Sequence, residues 1–186
     1  ACARSEREKS GADHAGGGKL IAEHIAALGH SDVIILGGDR VSEVQRDRVN
    51  GMHAGLNRSH KVTELWDKDG MDQLVCAIKD GATAIMTTSD LLALRVHSHL
   101  SQHGIFVPQN VSLTGFDDLP FATAMHPQLT TVAQDVEKIA HLAIDRLIRT
   151  IQNDDPPVET TTVAMRLVMR ASTLIKNETT NLETTQ

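Results

Sequence analysis

Two adjacent carboxylates, Asp117 and Asp118, close the apolar run VSLTGF, and Arg48 stands in the earlier segment RDRVNG. A carboxylate pair at the end of such a run can ligate a metal, share acid/base work, accept hydrogen bonds from a polyol or close a turn. Metal chemistry finds little support. Of the ten histidines, the nearest cluster is His97 and His99, and two residues two apart on a helix point to different sides. No HExxH or carboxylate–histidine spacing appears, and Cys2 and Cys76 have neither metal nor redox spacing. No G-x-S-x-G elbow or other nucleophile–base pattern is present. The sequence therefore predicts no catalytic residue, no metal site and no cofactor.

A polyol-binding set fits better. Just past successive apolar runs come Arg40, Arg46 and Arg48, then Trp66, then Ser89 and Asp90, then Asp117 and Asp118. Carboxylates accept from vicinal hydroxyls, arginine donates in a planar fork, and an indole stacks on the apolar face of a ring. Each residue also has a plainer role open to it. Asp90 suits a helix N-cap, Trp66 suits a core, and an Asp pair before Leu-Pro suits a turn. The triple glycine Gly16–Gly18 lacks the spacing of a phosphate-binding loop.

The elements that would carry these residues alternate. GGKLIAEHIAALGH has helical spacing and ends at Gly29, and DVIIL (Asp32 to Leu36) reads as a buried parallel strand. A helix over about 42–56 follows, then a strand at KVTELW, a helix over about 69–79, a strand at ATAIMTT, and a helix at DLLALRVHSHLSQHG entered through Ser89 or Asp90. VSLTGF closes the series. This order predicts an α/β fold, a parallel sheet flanked by helices on both faces, and ligands of such sheets bind outside the carboxyl ends of the strands. Beyond residue 128 the pattern changes. A long amphipathic helix with an apolar stripe of Val136, Ile139, Ala140, Ala143, Ile144 and Leu147 is broken by Asp154–Pro157, and one or two strands follow in VETTTVAMRLVMRASTL.

Bulk properties narrow the function classes. A chain of 186 residues is long enough to bury a sizeable core. A net charge of −6 without clustered Lys and Arg speaks against this chain alone gripping a nucleic-acid backbone. No apolar run approaches the length of a membrane span, no signal peptide opens the chain, and the cysteine usage suits a reducing compartment. The expectation is a soluble cytoplasmic protein with no membrane partner. Residues 1–11 look frayed or non-native, and 175–186 read as a polar tail.

Taken in order, GGGKLIAEHIAALGHSDVIILGG, RDRVNGMHAGL, TTSDLLAL, GIFVPQNVSLTGFDDLPFATAMHPQLTTVAQD and VMRASTL resemble the effector-binding core of the LacI (lactose-repressor/purine-repressor) family of transcriptional regulators. VPQNVSLTGFDDLPFATAMHPQLTT is the most specific stretch. The resemblance implies a periplasmic-binding-protein-like type I core: residues 12–128 as the C-terminal lobe, and 129–174 as a returning crossover helix with terminal strands. It also implies that the helix-turn-helix headpiece and most of the first lobe lie outside this chain. The apolar stripe after Val136 would then lack part of its usual partner and favour self-association or swapping.

Carried over position by position, the resemblance makes Arg48 an effector-contacting arginine and Asp117 the carboxylate that accepts from a sugar hydroxyl or purine nitrogen. Trp66 falls near a stacking aromatic, and Asp13 lies at the lobe crossover. Ser89 stands where many members have Asn, a departure that weakens transfer of any sugar specificity. Asp118 and Asp90 are left as structural, in the turn and as N-cap. The helix from Leu91 would be a dimerisation element through Leu91, Leu94 and Ser98; a buried helix of a lone domain shows the same spacing. The implied function is a small-molecule effector sensor, for a sugar or nucleobase-like compound. It would act as a homodimer, reaching operator DNA only through the headpiece, without enzymatic activity. A periplasmic-type sugar-binding receptor is the alternative, and a small hydrolase or isomerase is disfavoured by the missing catalytic set.

Overall fold

The computed structural model describes residues 11–152 and 162–176. The expectations for the N-terminal segment and the polar tail fall almost wholly outside the described residues. Elements run β1 Gly11–Ala12, α1 His14–Ala27, β2 Asp32–Gly37, α2 Glu43–Gly55, β3 Lys61–Trp66, α3 Asp67–Lys79, β4 Ala84–Thr87, α4 Asp90–Gln102, β5 Ser112–Thr114, β6 Thr131–Ala133, α5 Val136–Ile151, β7 Thr162–Val163 and β8 Arg166–Val168.

The four strands β3-β2-β4-β5 make one parallel sheet in that order. Consecutive residues of β2 are buried, the pattern of a strand covered on both faces. Ile34 and Leu36 face a core completed by Leu74, Val96, Leu100 and Leu113, from α3, α4 and β5. Val33 and Ile35 face the opposite core with Ile21, Ile25, Val49, Met52, Met86 and Phe116, largely from α1 and α2. The expected parallel sheet with helices on both faces is the observed architecture. β6 extends it: Gly115 N donates to Thr130 O and Asp117 N to Val132 O, each at 2.9 Å, and β8 runs antiparallel to β6.

Three local features go beyond the sequence reading. The triple glycine lies inside α1, where it lets α1 and α2 touch backbone to backbone. A Cβ on Gly18 would fall 2.2 Å from Arg48 O, and one on Gly51 2.0 Å from Ala15 O, so neither position has room for a side chain. Second, Ser89 is the N-cap of α4, its Oγ accepting from Leu92 N at 3.2 Å. Asp90 is therefore not the cap. Its carboxylate turns into the core, where Oδ1 accepts from Thr131 Oγ1 at 2.6 Å and Oδ2 from Leu119 N at 2.7 Å. Burial pushes the Asp90 carboxyl above the ordinary carboxylate range, against the pull of those two hydrogen bonds. Third, the segment entering α5 contains the strand β6, too short to show a period in the sequence.

The stripe on α5 is where the sequence puts it, and no residue of α5 is buried. Leu147 is 60% exposed and Ile144 55%, so this face has no apolar cover among the described residues. No helix among them is long and apolar enough to cross a membrane.

Candidate ligand-binding site

Because β3, β2, β4 and β5 are parallel and adjacent, their carboxyl ends form a row. Trp66 ends β3, Gly37 ends β2 with Gly38 after it, Thr88 and Ser89 follow β4, and Asp117 follows β5. Hydrogen bonds stitch the row together: Gly38 N donates to Thr88 Oγ1 at 3.1 Å, and Arg48 Nη1 donates to Thr88 O at 2.7 Å.

Arg48 reaches this edge from α2 and is its electrostatic centre. The side chain is 5% exposed and all three nitrogens are used. Nη2 pairs with Asp117 Oδ1 at 2.8 Å, Nη1 holds the Thr88 carbonyl, and Nε donates to His14 Nδ1 at 3.3 Å. The guanidinium lies over the Phe116 ring, 3.9 Å from its centroid, a cation–π contact in a desolvated place. Asp117 Oδ1 also accepts from Gln134 Nε2 at 2.7 Å. Its other oxygen, Oδ2, has no hydrogen-bond partner among the described residues, and the side chain is 21% exposed. A part-exposed carboxylate held through one oxygen keeps acceptor capacity for a hydroxyl or a ring N–H.

The backbone here is strained. Asp117 has φ +111° and Asp118 φ +54°, both in the left-handed half of conformational space that side-chain-bearing residues avoid. Asp118 Oδ1 accepts from Arg170 Nη2 at 2.6 Å, which anchors the turn to the C-terminal segment. The two aspartates thus have different partners: Asp118 fastens the turn to Arg170, and Asp117 pairs with Arg48 and Gln134.

The other candidates are placed more loosely. Asp13 Oδ1 caps α1 through Gly16 N at 2.8 Å, and its backbone N bonds Val163 O at 3.0 Å, tying the entry into α1 to β7. Ser89 spends its oxygen on the α4 cap. Trp66 stands at the far end of the row, three strand spacings or about 14 Å from Asp117, so the structure does not bring it against the Arg48–Asp117 pair. Sequence reasoning missed His14, Phe116 and Gln134. Each borders a residue or stretch already singled out (Asp13, Asp117, TTVAQD), but only folding shows that they converge on Arg48 and Asp117. Among the described residues no group of three or more His, Cys, Asp or Glu is placed to hold a metal.

Two hollows flank the sheet. One of about 400 Å³ adjoins the site, lined by Gln134, Asp135, Glu137, Met165 and Arg166 among others. A larger one of about 560 Å³ is lined by His97, Ser101, Phe106, Gln109, Asn110 and His126. It lies toward the amino end of β5, away from the ion pair, and lacks its charged, prearranged groups.

Residues 22–173 match the periplasmic binding protein-like domain family. The chain belongs to that family. The relatives it matches include transcriptional repressors. It is 28% identical over 148 residues to the lactose operon repressor of Escherichia coli K12, covering 75% of this chain and 41% of that protein. It is 26% identical over 168 residues to the HTH-type transcriptional repressor PurR of Actinobacillus pleuropneumoniae, covering 84% and 50%. A periplasmic binding protein/LacI transcriptional regulator from Alkaliphilus metalliredigens, solved in complex with D-xylulofuranose, superposes with a TM-score of 0.74 at 25% identity, covering 88% of this chain and 64% of that one. The chain spans about half the length of the curated relatives it matches. The resemblance drawn from the sequence motifs is thus to the right family and to its effector-binding core.

The site carries a pH signature. Burial, and then the charge of Arg48, hold the His14 imidazole below its ordinary pKa, and burial does the same to His24 and His30. A histidine whose folded pKa is depressed stabilises the fold above its unfolded pKa, and that stability is lost as pH falls through the folded value, because the unfolded chain takes up protons first. Stability measured in urea is expected to fall as pH drops below about 6.5, with a shallower fall in His14→Gln. A fall that is no shallower in His14→Gln than in the wild type contradicts this assignment.

Proposed function

We propose that this chain is the effector-binding and dimerising portion of a LacI-type transcriptional regulator, with a sugar or a nucleobase-like small molecule as effector. One observation carries the reading above the others. Asp117 is held by Arg48 and Gln134 through Oδ1 alone, which leaves Oδ2 as an acceptor at the carboxyl edge of the sheet. In this reading Arg48 and Asp117 are the central contacts, Ser89 donates its hydroxyl proton, Asp13 borders the cleft, and Trp66 offers a stacking face. The lobe assigned to residues 12–128 and the return assigned to 129–174 meet at this site, because Gln134 leaves β6 beside Asp117. No enzymatic step is assigned. The lactose and PurR relatives are repressors by name.

In the whole protein, the effector would act by binding one of two arrangements more tightly. Only such a difference in affinity can move the balance between DNA-competent and incompetent forms. Operator binding would belong to a headpiece of the whole protein, which would act in the cytoplasm. The alternative, a periplasmic-type sugar receptor, shares the fold and the ligand logic. The sequence encoded upstream of Ala1 separates them: a helix-turn-helix supports the regulator, an export signal the receptor.

The ligand class is tested by a thermal-shift panel of sugars, nucleosides and sugar phosphates. At least one compound is expected to raise the melting temperature, with the shift abolished in Asp117→Asn. A shift that survives Asp117→Asn removes the reading of the site.

The outward face of α4 supports a homodimer. Leu91 and Leu94 are 59% and 37% exposed, and Ser98 is exposed beside them, while Leu92, Ala93, Val96 and Leu100 face the core. The α5 stripe is a second candidate surface for self-association or swapping. Sedimentation velocity distinguishes them: Leu94→Glu is expected to yield monomer if α4 is the seam, and Leu147→Glu if α5 is. A wild-type protein that stays monomeric at high concentration contradicts both.

A further inference from the structure

Trp66 is the only tryptophan of the chain, and three groups surround its indole. One side of the ring presses on the backbone of β2, where a Cβ on Gly37 would come within 2.5 Å of the indole carbons Cε3 and Cζ3. The indole N–H donates to Glu64 Oε1 at 2.8 Å, and the other oxygen of that carboxylate is 2.8 Å from His53 Nε2. The His53 hydrogen bond is the main cause holding the Glu64 carboxyl below the ordinary range, and the indole N–H and the Arg40 charge act in the same direction. The guanidinium carbon of Arg40 lies 5.4 Å from the ring centroid, and Arg40 Nη2 is 3.8 Å from Glu64 Oε1. The chain beneath Arg40 is itself fixed, since Arg46 Nη1 donates to the carbonyls of Arg40 and Val41 at 3.0 and 2.7 Å. The Arg40 side chain beyond that anchor is 73% exposed and can swing away.

We propose that Glu64 is a positioning residue that sets the plane of the Trp66 indole, and that Arg40 is a movable cap over the ring in the ligand-free protein, which a stacked ligand ring replaces. Glu64 takes the polar edge of the indole and Gly37 lets the ring lie flat on β2. Arg40 covers the ring without being buried, so displacing it returns a guanidinium to water at little cost. The replacement step rests on the reading of Trp66 as a ligand contact; the cap and the positioning do not.

Fluorescence tests the inference directly, because all tryptophan emission comes from this residue. Without ligand, the Arg40 guanidinium is expected to raise iodide quenching of Trp66 relative to caesium, an iodide preference measured against Arg40→Ala because the Glu64 carboxylate also lies at the indole. In Arg40→Ala that preference disappears, and quenching by neutral acrylamide rises about twofold as the cap is lost. Glu64→Ala is expected to lower the emission anisotropy, and Glu64→Gln, which keeps an acceptor for the indole N–H, restores it; far-UV circular dichroism checks that each variant is folded. Identical quenching in wild type and Arg40→Ala overturns the cap, and unchanged anisotropy in Glu64→Ala overturns the positioning role. Adding the panel compound with the largest thermal shift is expected to erase the iodide preference of the wild type. A preference that persists overturns replacement, and with it the reading of Trp66 as a ligand contact, while leaving the cap intact.

Discussion

The Arg48–Asp117 ion pair is the contact on which the rest of the site depends. Taking a guanidinium almost wholly out of water is costly, and the attraction of one carboxylate offsets that cost only when the remaining donors are also satisfied. Here each of its three nitrogens has a partner, in Asp117, the Thr88 carbonyl and the His14 ring nitrogen, and its flat face lies over Phe116. The pair is best regarded as a constraint on geometry. Deleting either partner would leave a desolvated charge, so the elements carrying Arg48 and Asp117 must keep their register.

That requirement explains features that look unrelated. Arg48 reaches the strand ends because α2 lies close on α1, and α1 allows it because Gly18 and Gly51 carry no side chains. Asp117 is held at a positive φ by its backbone bond to Val132, by Gln134, and by the turn that Asp118 fastens to Arg170. Below that turn, the buried Asp90 joins α4 to β6 and to the chain after Asp118, with Gly115 leaving room for its carboxylate. Strain at Asp117 is thus opposed by contacts with more than one segment, the usual condition for a strained residue to persist.

The sheet, its helices and the strand-end location of the site could be read from the sequence because apolar runs and helical spacing report burial directly. Asp117 and Arg48 stood out because an open parallel sheet restricts where polar groups can meet a ligand, and the LacI-like motifs then ranked them. The supporting residues were not legible in the same way. Phe116 looks like the last residue of a strand, Gln134 like a linker residue and His14 like one histidine among ten. Their roles come from packing between segments far apart in the chain. Asp90 misled for a physical reason: Ser-Asp offers two N-caps, and the sequence does not say which side chain turns inward. The triple glycine lacks phosphate-loop spacing, and its role in close helix packing shows only once α1 and α2 are seen in contact.

A charged pair with one spare acceptor, at the edge of a sheet whose relatives include a sugar-bound regulator, makes a specific claim: a ligand polar group completes Asp117. The most direct measurement is a crystal structure of the protein with the compound that stabilises it most. The account predicts a ligand hydroxyl or ring nitrogen within hydrogen-bond distance, about 2.6–3.0 Å, of Asp117 Oδ2, with the Arg48–Asp117 contact preserved. A stabilising ligand seated elsewhere, with Asp117 Oδ2 still open to solvent, would contradict it.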